Sequence, residues 1–275
     1  MDVLNLKDIA EKQKKFLENP RKGIIELDEN LKEINKQLIT KLSSENRIEE
    51  MKLFYEFHKE YSKLIGELLK NKVISANKFK DDVFDLKNAQ RIKEVESALK
   101  NYLKKKSQNK MDESTALTLS RNYSAQLEII WGKFKRIIYI KYPELKSKHL
   151  TLKTIQDYLV KLEKEYSINL TLIKSTLEGL FRNKINHELT YFDPLDEIVF
   201  LDVIDKTKEI KRLKLEEICR LLLKTMITNS AIDSVEKTLI SSFLNLLLKL
   251  DDSELDEYCK TGILTETMKN KIEIE

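Results

Sequence analysis

The sequence predicts an all-α protein, a helical bundle, and three observations carry that expectation. Apolar residues recur at three- and four-residue steps, most plainly at Met51, Phe54, His58, Tyr61, Ile65 and Leu68, one face of a helix. Only 5 Gly and 3 Pro punctuate the 275 residues. That is too few for the many turns of sandwiches, barrels and doubly wound sheets. Hydrophobic residues make up 41%, which suits a sizeable core and argues against disorder over most of the chain.

Val3 to Leu17 reads as a first helix, stopped by Asn19-Pro20 and Gly23, and Ile24 to Leu42 as a second, stopped near Ser43-Ser44. The stripe from Met51 to Leu68 is the third. A helix from about Ala76 follows, with Val95, Leu99, Tyr102 and Leu103 on one side, and runs into Lys104-Lys105-Lys106-Ser107-Gln108-Asn109-Lys110. This basic, polar stretch is expected to be a linker or mobile loop. It divides the chain into an N-terminal helical region, 1–103, of no assigned role, and a helical domain, 112–275.

That domain opens with a helix from Glu113 carrying Leu119, Tyr123, Leu127, Ile130, Phe134 and Ile137, which ends near Tyr142 because Pro143 disfavours helix before it. Thr151 is placed to cap the next helix, with its stripe of Ile155, Tyr158, Leu159, Leu162 and Tyr166. Leu170 to Ile185 reads as a further helix with Leu170, Ile173, Leu177 and Leu180 inward. Asp193-Pro194 reads as a cap and first-position proline, while Glu197 to Val203 fits a short strand or a helix start equally well. Two more helices are expected, Lys208 to Asn229 and Ser234 to Leu248, the second opened by Asp233-Ser234-Val235-Glu236, with a frayed end through 275.

Charge is dense but nearly cancelled: 50 Lys plus Arg against 46 Asp plus Glu, net +4. A partner of either sign is compatible with it. Cys219 and Cys259 stand far apart and signal neither a disulfide framework nor a thiolate metal site. The first residues lack the pattern of a secretory signal, and no run reaches the roughly 18 uncharged apolar residues of a membrane span. The expectation is a soluble, cytoplasmic protein without membrane, metal or cofactor.

Catalytic residue types are scarce, with three histidines and eight arginines. Zinc, phosphate-loop, dinucleotide and nucleophile-elbow motifs are absent. One segment stands out: Leu180-Phe181-Arg182-Asn183-Lys184-Ile185-Asn186-His187-Glu188. An arginine, an amide and a histidine within one reach suit phosphodiester cleavage without metal. Histidine moves a proton near neutral pH, arginine holds the non-bridging oxygens as charge builds, and asparagine orients either. At this composition a chance R-x4-H pair arises at a rate of about one in ten, and about one in a hundred with asparagine after the arginine.

The segment resembles the R-x4-6-H motif of the HEPN superfamily, all-helical domains many of which are metal-independent ribonucleases of toxin, antiphage and CRISPR-associated systems. The likeness rests on Arg182, Asn183 and His187 in a helical context from about Glu113 to Asn229. It implies a HEPN-like second half, an endoribonuclease leaving 2′,3′-cyclic phosphate ends, and catalytic roles for Arg182 and His187 with Asn183 supporting. The family's usual arrangement implies RNA as partner, a homodimer with a composite site, and an antitoxin or defence-system partner. Leu189 stands where the nucleotidyltransferase-paired toxin subgroup has tyrosine.

Residues five apart on a helix differ by about 140° in direction. Arg182 and His187 therefore do not share a face of a regular helix. Either the helix breaks near Asn186 or two chains bring their motifs together. Glu178, four before Arg182, is in place to hold the guanidinium. The bland alternative makes Glu178 and Arg182 a surface pair, Asn186 a cap and His187 a dipole partner. A second alternative is an inactive HEPN-like module that binds a nucleotide, nucleic acid or partner protein. Lys104, Lys105, Lys106 and Lys110, and Lys133 to Arg136, are weak candidates for guiding RNA. His58 reads as a packed core histidine, His149 as solvated, Trp131 as packing on Phe134, Ile138 and Tyr139, and Cys219 as a buried apolar residue.

Overall fold

The structure, a computed structural model, describes residues 16, 18–44, 48–74, 86–177, 190–193, 198–201 and 211–272. Among these, the first elements are α1 (Pro20–Ser44), α2 (Ile48–Lys70), α3 (Leu86–Ser107), α4 (Glu113–Lys141) and a 3-10 turn (Pro143–Leu145). Then come α5 (Leu152–Tyr166), α6 (Thr171–Thr176), strands β1 (Thr190–Asp193), β2 (Ile198–Leu201) and β3 (Lys211–Lys214), and α7 (Leu215–Leu247), α8 (Asp252–Thr261) and α9 (Glu266–Ile272). The fold is all-α, with one small antiparallel sheet set into it. Its strands pair in sequence order, Thr190 opposite Leu201 and Ile198 opposite Lys214.

Two compact units form, each discontinuous in sequence: one from 1–46, 76–83 and 236–275, the other from 47–75 and 84–235. The stretch expected as a linker lies inside the second unit. Lys110 N–H returns to the Lys105 carbonyl at 3.0 Å, and Lys105 Nζ meets Asp112 Oδ2 at 2.5 Å, closing a tight turn between α3 and α4.

In the first unit, Asn19 and Pro20 open α1; the helix expected before them, Val3 to Leu17, lies outside the described residues except for Phe16. Asn19 Oδ1 accepts Lys22 N–H at 3.1 Å, and Gly23 lies inside the first turn. Glycine is needed there because a Cβ would come 2.4 Å from the Phe16 ring. Arg21 reaches the Leu248 and Leu250 carbonyls and Asp252, so the start of α1 is tied to the end of α7 and the start of α8. The buried Asp28 takes bonds from Ser241, Lys32 and Asn245. Burial pushes its carboxyl up, and the hydrogen bonds from Lys32 and Ser241 outweigh that and hold it below the ordinary value. The end expected to fray is helical as far as it is described: α9 runs to Ile272 with Met268 and Ile272 buried.

The second unit buries Phe54, Phe57, Tyr61, Leu64 and Leu68 of α2, and Tyr61 meets Phe134 of α4 edge to face at 5.8 Å. Helix α4 packs on α3, α5 and β1. It starts and stops as its residues predict, with Asp112 as N-cap and Pro143 beyond its end. Thr151 caps α5 through the Thr154 amide, and Ser167 closes it in the left-handed region.

Two expectations change after Leu177. Asp193, expected as a helix cap, is the last residue of β1 opposite Ile198, and residues 198–201 resolve the ambiguity of Glu197 to Val203 as strand. The two helices expected across 208–248 are one, α7, preceded by β3. No break forms near Asn229 to Asp233 because the groups that would cap it are spent elsewhere: Asn229 bonds Gln126 and Asp233 pairs with Lys133. Ala231 and Ile232 between them are fully buried.

Candidate functional site

Arg182, Asn183 and His187, with Glu178 and Asn186, lie outside the described residues. The structure does describe the chain on both sides of them, α6 before and β1 after.

Helix α6 has six residues, too few to hold itself in water, and other helices of its unit hold it. Glu60 of α2 takes the Leu172 and Ile173 amides, one on each carboxylate oxygen, both at 3.1 Å. That supplies the partners a helix N-terminus lacks. Glu60 is only 9% exposed. Burial pushes its carboxyl above the ordinary value, against the pull of the two amides. From α5, Glu163 accepts the Leu170 amide at 2.7 Å and pairs with Lys174 at 2.5 Å. Lys224 of α7 reaches the Ser175 hydroxyl at 3.0 Å.

The other end of α6 explains why the helix expected from Leu170 stops at Thr176; the rest of that expected span, 178–185, lies outside the described residues. Leu177 N–H turns to the Lys174 carbonyl three residues back, at 3.0 Å, and α6 ends at Thr176. The Gln156 amide then occupies the Leu177 carbonyl at 3.2 Å and leans on that of Lys174. Leu177 itself is fully buried. The motif therefore follows directly on a pinned, buried residue. Downstream, β1 begins three residues after His187, with Phe192 buried and the strand against α4.

The register argument has a direct counterpart in α4. Arg121 and Gln126 stand at the same spacing as Arg182 and His187 on a continuous helix. Arg121 is exposed while Gln126 is 1% exposed. Gln126 faces Asn229, whose Nδ2 donates to the Gln126 side-chain oxygen at 2.5 Å and to its backbone carbonyl at 3.0 Å.

Of the weak RNA-binding candidates, Lys105 is held by Asp112, and its hydrogen bond brings that carboxyl down to about 2. Lys106 lies 3.7 Å from Glu216 and over the Tyr102 ring. Lys104 and Lys110 are exposed. Lys133 is committed to Asp233. His58 is half-buried at the edge of the α2 stripe, beside Phe54 and 3.3 Å from Ser62 Oγ, and burial lowers its pKa. Cys219 is half-buried, not fully so. His149 is exposed, as expected, with Trp131 edge-on at 6.2 Å.

Sequence reasoning missed Glu60, Gln156 and Glu163. Glu60 left one signal, an acid in the register of the α2 stripe, three after Phe57 and four before Leu64. Gln156 and Glu163 left none, being ordinary polar residues on an amphipathic helix. Among the described residues no group of three or more His, Cys, Asp and Glu is placed to hold a metal ion, and no helix is long and apolar enough to cross a membrane. A scan against family models, a search of curated proteins and a search of solved structures each found no match.

Proposed function

We propose that this chain is a metal-independent endoribonuclease of HEPN type that cuts RNA to 2′,3′-cyclic phosphate ends. In this reading it is a cytoplasmic toxin or antiphage effector, with an antitoxin or defence-system partner. The observation that carries the reading is the Arg182-Asn183-x-x-x-His187 register in a chain with only three histidines and eight arginines. Pinned elements on both sides of the motif support it, because a catalytic segment must be held to be precise.

In the proposed chemistry His187 takes the proton of a ribose 2′-hydroxyl, and the 2′-oxygen attacks the adjacent phosphorus. The bond from phosphorus to the 5′-oxygen breaks, and the protonated imidazole of His187 returns its proton to the leaving oxygen. Arg182 stabilises the extra negative charge on the non-bridging oxygens, and Asn183 positions. Glu178 holds the arginine. Five-residue spacing keeps the two groups apart on a regular helix, as Arg121 and Gln126 do in α4. A homodimer in which each chain offers its motif to a shared site is the economical solution.

The test is cleavage of total RNA in EDTA by wild type, Arg182→Ala and His187→Ala, with the new ends mapped. Cleavage by wild type alone, with cyclic phosphate ends, is expected. Equal activity in all three rules the assignment out, and binding without cleavage by wild type favours an inactive binding module. Light scattering on the eluting protein checks the dimer: a strict monomer that still cleaves removes the composite site.

A further inference from the structure

The chain's net charge of +4 conceals a strong local excess. Residues 131–166, the C-terminal part of α4 through α5, carry 9 Lys and Arg against 4 Asp and Glu. This stretch alone is +5, and the remaining residues sum to −1. It also holds the only tryptophan and four of the 10 tyrosines.

The fold sorts these residues onto one surface. Trp131, Lys135 and Tyr139 of α4 and Tyr142, its C-cap, stand at steps of four, four and three, one stripe about 16 Å long. All four are half-buried. Lys135 Nζ lies over both neighbouring rings, 4.9 Å from Trp131 and 5.5 Å from Tyr139. The stripe continues onto α5, where Tyr142 meets Tyr158 at 4.9 Å and Lys161 Nζ lies 4.2 Å over Tyr158. Lys141, 5.2 Å over Tyr166, is already paired with Glu165 at 2.6 Å and is not free to take a phosphate. Exposed Lys146, Lys148 and His149 line the turn between the helices. Trp131 was expected to pack; it is half-buried, with its indole nitrogen out of water and its ring flanked by the Lys135 ammonium and the exposed His149 imidazole.

Alternating rings and ammonium groups match a ligand that alternates flat bases and phosphates. We propose that this surface binds single-stranded RNA, the rings stacking bases and the lysines taking phosphates. A duplex keeps its bases stacked inside and offers the rings nothing, so the surface selects unpaired strands. The inference rests on the ribonuclease reading for its choice of RNA. It ties to the motif through α5, whose Gln156 grips the Leu177 carbonyl immediately upstream.

Trp131 is the chain's sole tryptophan, so its emission reports on this surface directly. The experiment titrates the full chain with a 2′-O-methyl oligouridine of about twelve nucleotides, a length suited to one stacking platform. The methyl group blocks cleavage, so binding is read whether or not the nuclease reading holds. Saturable quenching that weakens as salt rises is expected. Lys135→Glu with Lys161→Glu should lower affinity about tenfold or more, with an unchanged unfolding transition as the folding control. Absent quenching overturns the proposal, as does equal quenching by duplex RNA or polyglutamate. If the double variant does not fold, the wild-type comparison of single strand, duplex and polyglutamate still decides. Cleavage of natural RNA without quenching would sink this surface and spare the nuclease; quenching without cleavage would do the reverse.

Discussion

The carboxylate of Glu60 on α2 accepts the backbone amide of Ile173 on α6 at 3.1 Å, joining residues 113 apart in sequence. With its second oxygen on Leu172 it fills the start of a helix whose last turn leads into the Arg182 motif. A buried acid is costly, and two charge-assisted bonds to backbone, with the attraction of Lys174, make this one tolerable.

Replacing Glu60 with alanine leaves both amides short of an acceptor in a dry setting. The expected loss is about 2–4 kcal/mol. Glu60→Gln keeps one acceptor oxygen and should lose less. Urea denaturation of both variants measures the difference.

The Lys133 and Asp233 side chains are 9% and 19% exposed, so their ion pair is largely out of water. Asp233→Ala removes the carboxylate from a largely buried ammonium and should cost about 1–3 kcal/mol. Lys133→Met combined with Asp233→Leu removes both charges and should recover most of that loss. Guanidinium unfolding of the single and double variants gives the comparison.

Asp112 carries a pH signature. Its carboxyl is lowered from 3.8 to about 2, first by the Lys105 hydrogen bond and then by Thr115. A depressed folded-state value means the stabilisation is whole above 3.8 and is lost as pH falls toward 2. Asp112→Ala should cost about 1 kcal/mol at neutral pH, as N-cap losses do, and the gap to wild type should close between those two values. Urea melts at stepped pH follow it.

Gly66 in α2 and Gly23 in α1 predict opposite outcomes for one substitution. A Cβ on Gly66 meets nothing within 4 Å, whereas on Gly23 it strikes Phe16. Gly66→Ala should stabilise by about 0.5–1 kcal/mol through helix propensity. Gly23→Ala should show no gain or a loss. Thermal unfolding distinguishes them.

At the proposed catalytic pair, Arg182→Ala and His187→Ala should each lower RNA cleavage by about a hundredfold or more. Arg182→Lys should restore little, since an ammonium lacks the fork that grips two phosphate oxygens. Single-turnover rates on a defined RNA test all three.

Much of the helix layout is legible in the residues because burial on one face repeats at a helical period. The α4 stripe from Leu119 to Ile137 and the α5 stripe from Ile155 to Leu162 lie in the core. Thr151 and Pro143 mark boundaries for local reasons that hold in any surroundings. The candidate site was legible only as residue types in register. Its support, through Glu60, Gln156 and Glu163, depends on partners up to 113 residues away, and no local pattern announces them. Trp131 and Lys135 show the same limit: their spacing marks a shared face, and neither says whether that face meets core or solvent.

Read alone, the residues specify an all-α chain, the extents of α4 and α5, and one arginine, asparagine and histidine set in a chain poor in such groups. Packing settles the rest: that α6 ends at Thr176, that 198–201 is strand, and that α7 runs unbroken past Asn229 and Asp233. The reason is one of scale. Local preferences for helix, strand or cap differ by about 1 kcal/mol or less per residue. Leaving a buried amide or charge without its partner costs several times that, about 1–3 kcal/mol for the amide and more for the charge. Where a distant side chain supplies the partner, as Gln126 does for Asn229 and Lys133 for Asp233, the local signal to stop is overruled.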